Sequence, residues 1–191
     1  MKNKGVNSAV VKSIVLFVLG AIVLLGIYLM ATRSKKTTKD EDYTLTVVDE
    51  ITTTDLSKNY PADARKVVDL YAKTMQALYK ENNTDEQENK MIGVIAGIMD
   101  DELLANQTNF SKSMKNEVSE MREGDYSIST YVVQNKEPEV VKVDGRKMCD
   151  LDCLFSLRQG TAHIEVYYQF VMRQDDGGRW KILGWTVRED E

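Results

Sequence analysis

The run from Ile14 to Ala31, IVLFVLGAIVLLGIYLMA, contains no charged residue and constrains the chain more than any other segment. An apolar stretch of about 18 residues is long enough, as a helix, to cross the hydrocarbon core of a bilayer. Lys12 and Arg33 bracket it, placed to reach the headgroups on either side. A cleaved secretory signal has a shorter apolar region that ends in small residues two apart. Here Leu29 stands at the position where Ala31 would need a small partner. The reading is an uncleaved transmembrane anchor at residues 13–31, after a short tail at 1–12 and before a solvated stalk at 32–58.

The flanking charges do not set the direction of that anchor. Lys2, Lys4 and Lys12 precede it, and Arg33, Lys35, Lys36 and Lys39 follow it. The positive-inside rule therefore gives no preference for an exported C-terminal side. The short tail, the order of anchor, stalk and domain, and a pair of cysteines favour a single-pass protein of the cell membrane with its domain outside the cytoplasm. The net charge is −5, and the positive residues crowd towards the N-terminus, so the remainder is more acidic still. Such a surface repels a phosphate backbone, which argues against nucleic-acid binding.

Residues 59–191 read as one domain with one core. Pro61, acceptable in the first turn of a helix, opens a helical pattern that runs to about Glu81. Val67, Val68, Tyr71, Met75, Leu78 and Tyr79 lie on one face of it. Thr84 followed by Gln87 is a capping box at the start of a second helix with a broad apolar surface. Gly93 and Gly97 on that helix leave room for another helix, and the acidic trio Asp100-Asp101-Glu102 reads as solvated helix surface. A third helix covers roughly Lys112 to Arg122, its inner side Met114, Val118 and Met121, with Gly124 as the left-handed stop.

From there the period changes from 3.6 to 2. Tyr126 to Val133 reads as a strand, and Val140 to Val143 as another that leads into the hairpin signal Asp144-Gly145. A further strand lies between Arg146 and Arg158, interrupted by a cysteine loop. Ala162 to Met172 and Trp180 to Val187 form the last two, joined by Asp175-Asp176-Gly177-Gly178. Two to three helices followed by a four- to five-stranded antiparallel sheet is the α+β solution.

Cys149 and Cys153 are the two cysteines. In an exported protein they are a candidate disulfide. Four residues of extended strand span about 13 Å, and bridged Cα atoms lie about 4.4–6.8 Å apart, so a bridge demands a turn or bulge there. Free thiols are the alternative. A metal site through the two intervening aspartates has the wrong spacing for a zinc knuckle and no histidine nearby. No metal and no cofactor is expected.

His163 is the single histidine and the obvious candidate base, with Glu165 beside it. Strand parity places both opposite the more apolar face, together with Tyr167, so they form a weak candidate for a polar site. The final strand breaks simple alternation: Trp180 and Ile182 fall on one side, Leu183, Trp185 and Val187 on the other. A sheet covered on one face only should alternate. Either Trp185 completes a corner of the core, or Tyr167, Trp185 and Val187 form an interaction surface for a protein partner or a second copy of the chain.

The helix-then-sheet order, with the hairpin FVMRQDDGGRWKILGW from Phe170 to Trp185, resembles the nuclear-transport-factor-2-like (cystatin-like cone) superfamily. More narrowly, the anchor, Asn59-Tyr60-Pro61 leading into Val67-Val68-Asp69-Leu70-Tyr71, and the closing WKILGW resemble a group of single-pass membrane proteins of Gram-positive bacteria to which no activity is attached. The resemblance implies helices packed on a strongly bent sheet. It does not imply a function, because that fold hosts isomerases, hydratases, transport factors and secretion subunits. The expected role is a membrane-anchored extracytoplasmic binding domain without enzymatic activity. The alternatives are an assembly subunit of a secretion or conjugation machine, and a small-molecule enzyme or carrier that uses the cone interior.

Overall fold

A computed structural model describes residues 47–80, 82–134 and 136–188. The anchor expected at 13–31 lies outside them. Among the described residues no helix is long and apolar enough to cross a membrane. The element order is α1 (Ala64–Leu78), α2 (Asp85–Ile98), α3 (Asp101–Ala105), α4 (Phe110–Glu123), β1 (Tyr126–Val133), β2 (Val141–Val143), β3 (Arg146–Gln159), β4 (Ala162–Gln174) and β5 (Trp180–Arg188). All strand pairs are antiparallel, in the order β1-β3-β4-β5, with β2 beside the other end of β3. The fold is α+β, its helices on one face of a bent five-stranded sheet.

Local chemistry sets the helix ends. The Asp63 carboxylate accepts the Lys66 N–H at 2.9 Å and caps α1, so Pro61 lies ahead of the helix rather than in its first turn. Asn82 takes a left-handed φ of 80° after α1, and the Asn83 side chain donates to the Ala77 carbonyl at 2.7 Å. The Thr84–Gln87 capping box forms in both directions. Gly97 makes room for the Leu56 side chain, not for another helix; an added Cβ would stand 2.5 Å from Leu56 Cδ1. At the end of α4 the left-handed residue is Asp125, φ 57°, and not Gly124. Gly124 serves a different need: a Cβ there would lie 2.9 Å from the Tyr126 ring.

The folded unit reaches further towards the N-terminus than a stalk ending at residue 58. Residues 47–52 are helical, and Val48 and Ile51 are buried in the core with α1. Over these residues the expected solvated stalk is instead a helix that packs on the core. The Tyr60 hydroxyl donates to the Trp180 carbonyl at 2.7 Å, with Arg179 and Lys181 over its ring, and so fastens this entry segment to β5.

Asp100 overturns the expectation of a solvated acidic trio. It is 4% exposed, caps α3, and is gripped by the Arg173 guanidinium, whose Nε donates to Oδ2 at 3.0 Å. Its own N–H donates to the Ile182 carbonyl at 2.8 Å. One residue thus joins the helical layer to β4 and β5.

The sheet carries two bulges, and they explain the alternation that the sequence left open. Between Met172↔Ile182 and Val171↔Gly184 the extra residue Leu183 has no partner on β4. That insertion reverses the parity of β5 at its midpoint. Trp180 and Ile182 before it, and Trp185 and Val187 after it, therefore all share the helix-covered face, opposite Gln174, Met172, Phe170 and Tyr168. Ser129 does the same in β1, keeping Ile128, Tyr131 and Val133 on that face. The carbonyls of Ile128 and Ser129 at this bulge both accept from Gln76 Nε2 at 3.1 Å.

Candidate functional site

Helix α1 presents Tyr71 and Met75 to the sheet one turn apart, and its C-cap Tyr79 follows a turn later. Helix α4 presents Glu117 and Met121 in the same way. With Phe155 and Leu157 of β3, Tyr168 and Phe170 of β4, and Trp185 behind the Leu183 bulge, they line a cavity of about 50 Å³. A cavity needs about 10–15 Å³ by this measure to hold a water, so the enclosed space holds a few waters or a group of that size. Glu117, Met121, Leu157, Tyr168 and Trp185 are half-buried, so the cavity opens to solvent.

Its walls are aromatic. Tyr71 meets Phe170 edge-on with ring centres 5.3 Å apart and lies 5.6 Å from Trp185. Phe155 and Tyr168 are perpendicular at 5.5 Å. Edge-to-face pairs of this kind fix ring orientation beyond what burial alone does. The aromatic wall is therefore built on α1 and the three strands β3, β4 and β5.

The polar groups within it are few. Glu117 accepts a hydrogen bond from the Tyr79 hydroxyl, 3.2 Å from its Oε1. Burial raises the Glu117 carboxyl above the usual range; the Tyr79 bond opposes this and the nearby Glu120 charge adds to it. Burial likewise raises the phenols of Tyr71, Tyr79 and Tyr168, and the Glu117 charge raises each further, so all three remain donors. Among the described residues Glu117 has no cationic partner, and the hydroxyls of Tyr71 and Tyr168 make no hydrogen bond. No lysine, arginine or histidine lines the cavity.

The residues singled out from the sequence lie elsewhere or apart. His163 and Glu165 are exposed on the open face of β4, opposite Arg158 and Ser156, and do not line the cavity. Tyr167 is also on the open face, in a row with Leu154 and the 52%-exposed Val132. Trp185 and Val187 are on the other face because of the bulge, so the expected surface of Tyr167, Trp185 and Val187 does not assemble. Val187, 55% exposed, sits at the rim of the helix-covered side beside Tyr168.

The expected disulfide is likewise corrected. Cys149 and Cys153 are both free and buried. Strand β3 runs without a bulge against β4 through both positions, Cys149 opposite Met172 and Cys153 opposite Tyr168. No cysteine loop interrupts it, and the extended spacing puts the thiols out of bonding range. Among the described residues no group of histidine, cysteine and carboxylate side chains is arranged to hold a metal.

Sequence reasoning placed Tyr71, Met75 and Tyr79 in the core and passed over Glu117. The signal was present: Glu117 stands three residues after Met114 and four before Met121, a carboxylate on an otherwise apolar stripe.

No curated protein matches the sequence. Among solved structures, the intermembrane space region of chloroplast protein ARC6 is similar at 15% identity and a TM-score of 0.32, over 67% of this chain and 98% of that one. That likeness is too loose to carry an argument about fold or role. The family described as "Domain of unknown function (DUF6715)" matches residues 1–185, and the chain belongs to it.

Proposed function

We propose that the protein is a membrane-tethered, extracytoplasmic binding module that holds a small ligand in the cavity between α1, α4 and the sheet. The observation that carries this reading is the cavity itself, whose aromatic walls include three tyrosines and a single carboxyl, Glu117. An apolar pocket with a few convergent polar groups and a displaced pKa is the usual form of a ligand site. The tether rests on the apolar run from Ile14 to Ala31. Helices covering one face of a bent antiparallel sheet support the nuclear-transport-factor-2-like reading of the domain. A non-enzymatic role fits the composition of the site, whose lining holds no serine, cysteine, lysine or histidine.

The test uses the full chain in lipid nanodiscs, titrated separately with choline, butylamine, cyclohexanol and butyrate. At least one should raise the thermal midpoint and change tryptophan emission, since Trp185 lines the cavity. Met121→Trp, which fills the opening from α4, should abolish both responses. The reading fails if none of the four produces a response, or if the filled variant responds as the wild type does.

A second reading has one observation in its favour. The raised Glu117 carboxyl beside Tyr79 is a pairing suited to proton transfer, which would make the domain a small enzyme. Turnover of a bound ligand, lost in Glu117→Gln while binding persists, would select it.

A further inference from the structure

The chemical class of ligand can be narrowed from what the cavity contains and what it lacks; this rests on the cavity being the binding site. Three kinds of group meet there. The faces and edges of Tyr71, Phe155, Tyr168, Phe170 and Trp185 supply π surface on several sides. Glu117 supplies the single carboxyl, and among the described residues no lysine, arginine or histidine neutralises it. The remaining polar atoms are phenol oxygens. We propose that the site binds a compact organic cation, a quaternary or tertiary ammonium group, caged by these rings with Glu117 as its counter-ion.

The physical case is one of matching. A fatty acid or phosphate would bring a second negative charge beside Glu117 in a partly dry space, which is strongly unfavourable. A neutral apolar group would fill the volume but leave the carboxyl without a partner. A metal ion would need several oxygen or nitrogen ligands at short range, and one carboxyl among aromatic rings does not provide them. An alkylammonium is attracted by the ring quadrupoles and by the carboxylate at once, and its methyl groups pack against the same rings. The enclosed space of about 50 Å³ leaves no room for an acyl chain. Glu117 projects from α4 and accepts from the Tyr79 hydroxyl through Oε1, so its Oε2 has no protein hydrogen bond among the described residues and remains for the ligand.

The experiment compares choline with its uncharged carbon isostere, 3,3-dimethyl-1-butanol, on the full chain in nanodiscs, by calorimetry and tryptophan emission. The pair has the same shape and differs only in charge. Choline should bind at least about tenfold more tightly than the isostere, and Glu117→Gln should remove that advantage while the isostere binds as before. Unchanged isostere binding also shows that the variant keeps its fold. Tyr168→Phe, which keeps the ring, should retain choline binding, and Tyr168→Ala should weaken it. Equal affinity for the two ligands, or choline binding unaffected by Glu117→Gln, overturns the cation proposal and leaves the pocket intact. Binding of neither, together with no response to any of the four probes above, overturns both.

Discussion

At the scale of single residues, burial decides what the chemically interesting side chains do. Cys149 and Cys153 look like a pair in the sequence and behave as two separate core residues. Packing pushes the Cys149 thiol up to about 11 and the Cys153 thiol up to about 12, so neither is a thiolate near neutral pH. Native protein treated with iodoacetamide should therefore gain no label, and protein unfolded in urea without reductant should gain two. Labelling of neither after unfolding would restore the disulfide. Spacing alone left bridge and free thiols open, because only the pairing of β3 with β4 shows the segment to be straight. Glu117 was hidden for the opposite reason: a lone carboxylate on an apolar helix face reads as noise until the facing rings are in place.

At the scale of elements, periodicity and local capping made most of the fold legible. The capping box of α2, the extent of β1 and the Asp144-Gly145 hairpin followed from short-range chemistry, and both turn residues do adopt positive φ. Bulges are the exception, since one inserted residue leaves no composition mark. Leu183 is an ordinary strand residue by type, and only its lack of a partner reveals its role. Deleting Leu183 alone should close the ladder and keep Trp185 and Val187 on the helix-covered face, whereas deleting Leu183 and Gly184 together should turn both to the open face. The expected cost of the double deletion is about 3–5 kcal/mol in urea unfolding, the range for losing a large aromatic from a core, with tryptophan emission moved to the red. A double deletion that leaves stability and emission unchanged would mean that strand parity does not set the face of Trp185.

At the scale of the whole domain, one ion pair joins the two layers. Asp100 caps α3, bonds to β5 through its backbone and holds Arg173 of β4, while Arg173 also reaches Glu102. Burial alone would raise the Asp100 carboxyl, but the Arg173 and Glu102 hydrogen bonds and the Arg173 charge outweigh it, so its pKa falls below the usual 3.8. Its contribution is thus fully present above that value and is lost as pH drops through the lowered one. Asp100→Asn should cost about 3 kcal/mol at pH 7, the low end for breaking a buried pair. Wild type and variant should converge in chemical unfolding curves as pH falls through and below that lowered value. A gap that persists undiminished into strong acid would assign the loss to something other than charge. The acidic trio gave no hint of this, because the partner lies on a strand far along the chain.

The Leu183 bulge has a consequence for how this family can vary. Because each added residue in a strand exchanges inside for outside, β5 carries something like a reading frame. At the bulge that frame has slack, since losing Leu183 closes the ladder with Trp185 still facing inward, whereas losing one residue between Trp185 and Val187 would turn over the strand end. Single-residue length changes are therefore tolerable at the bulge, and relatives with unpaired ones elsewhere in this strand should have rebuilt the cavity with different side chains.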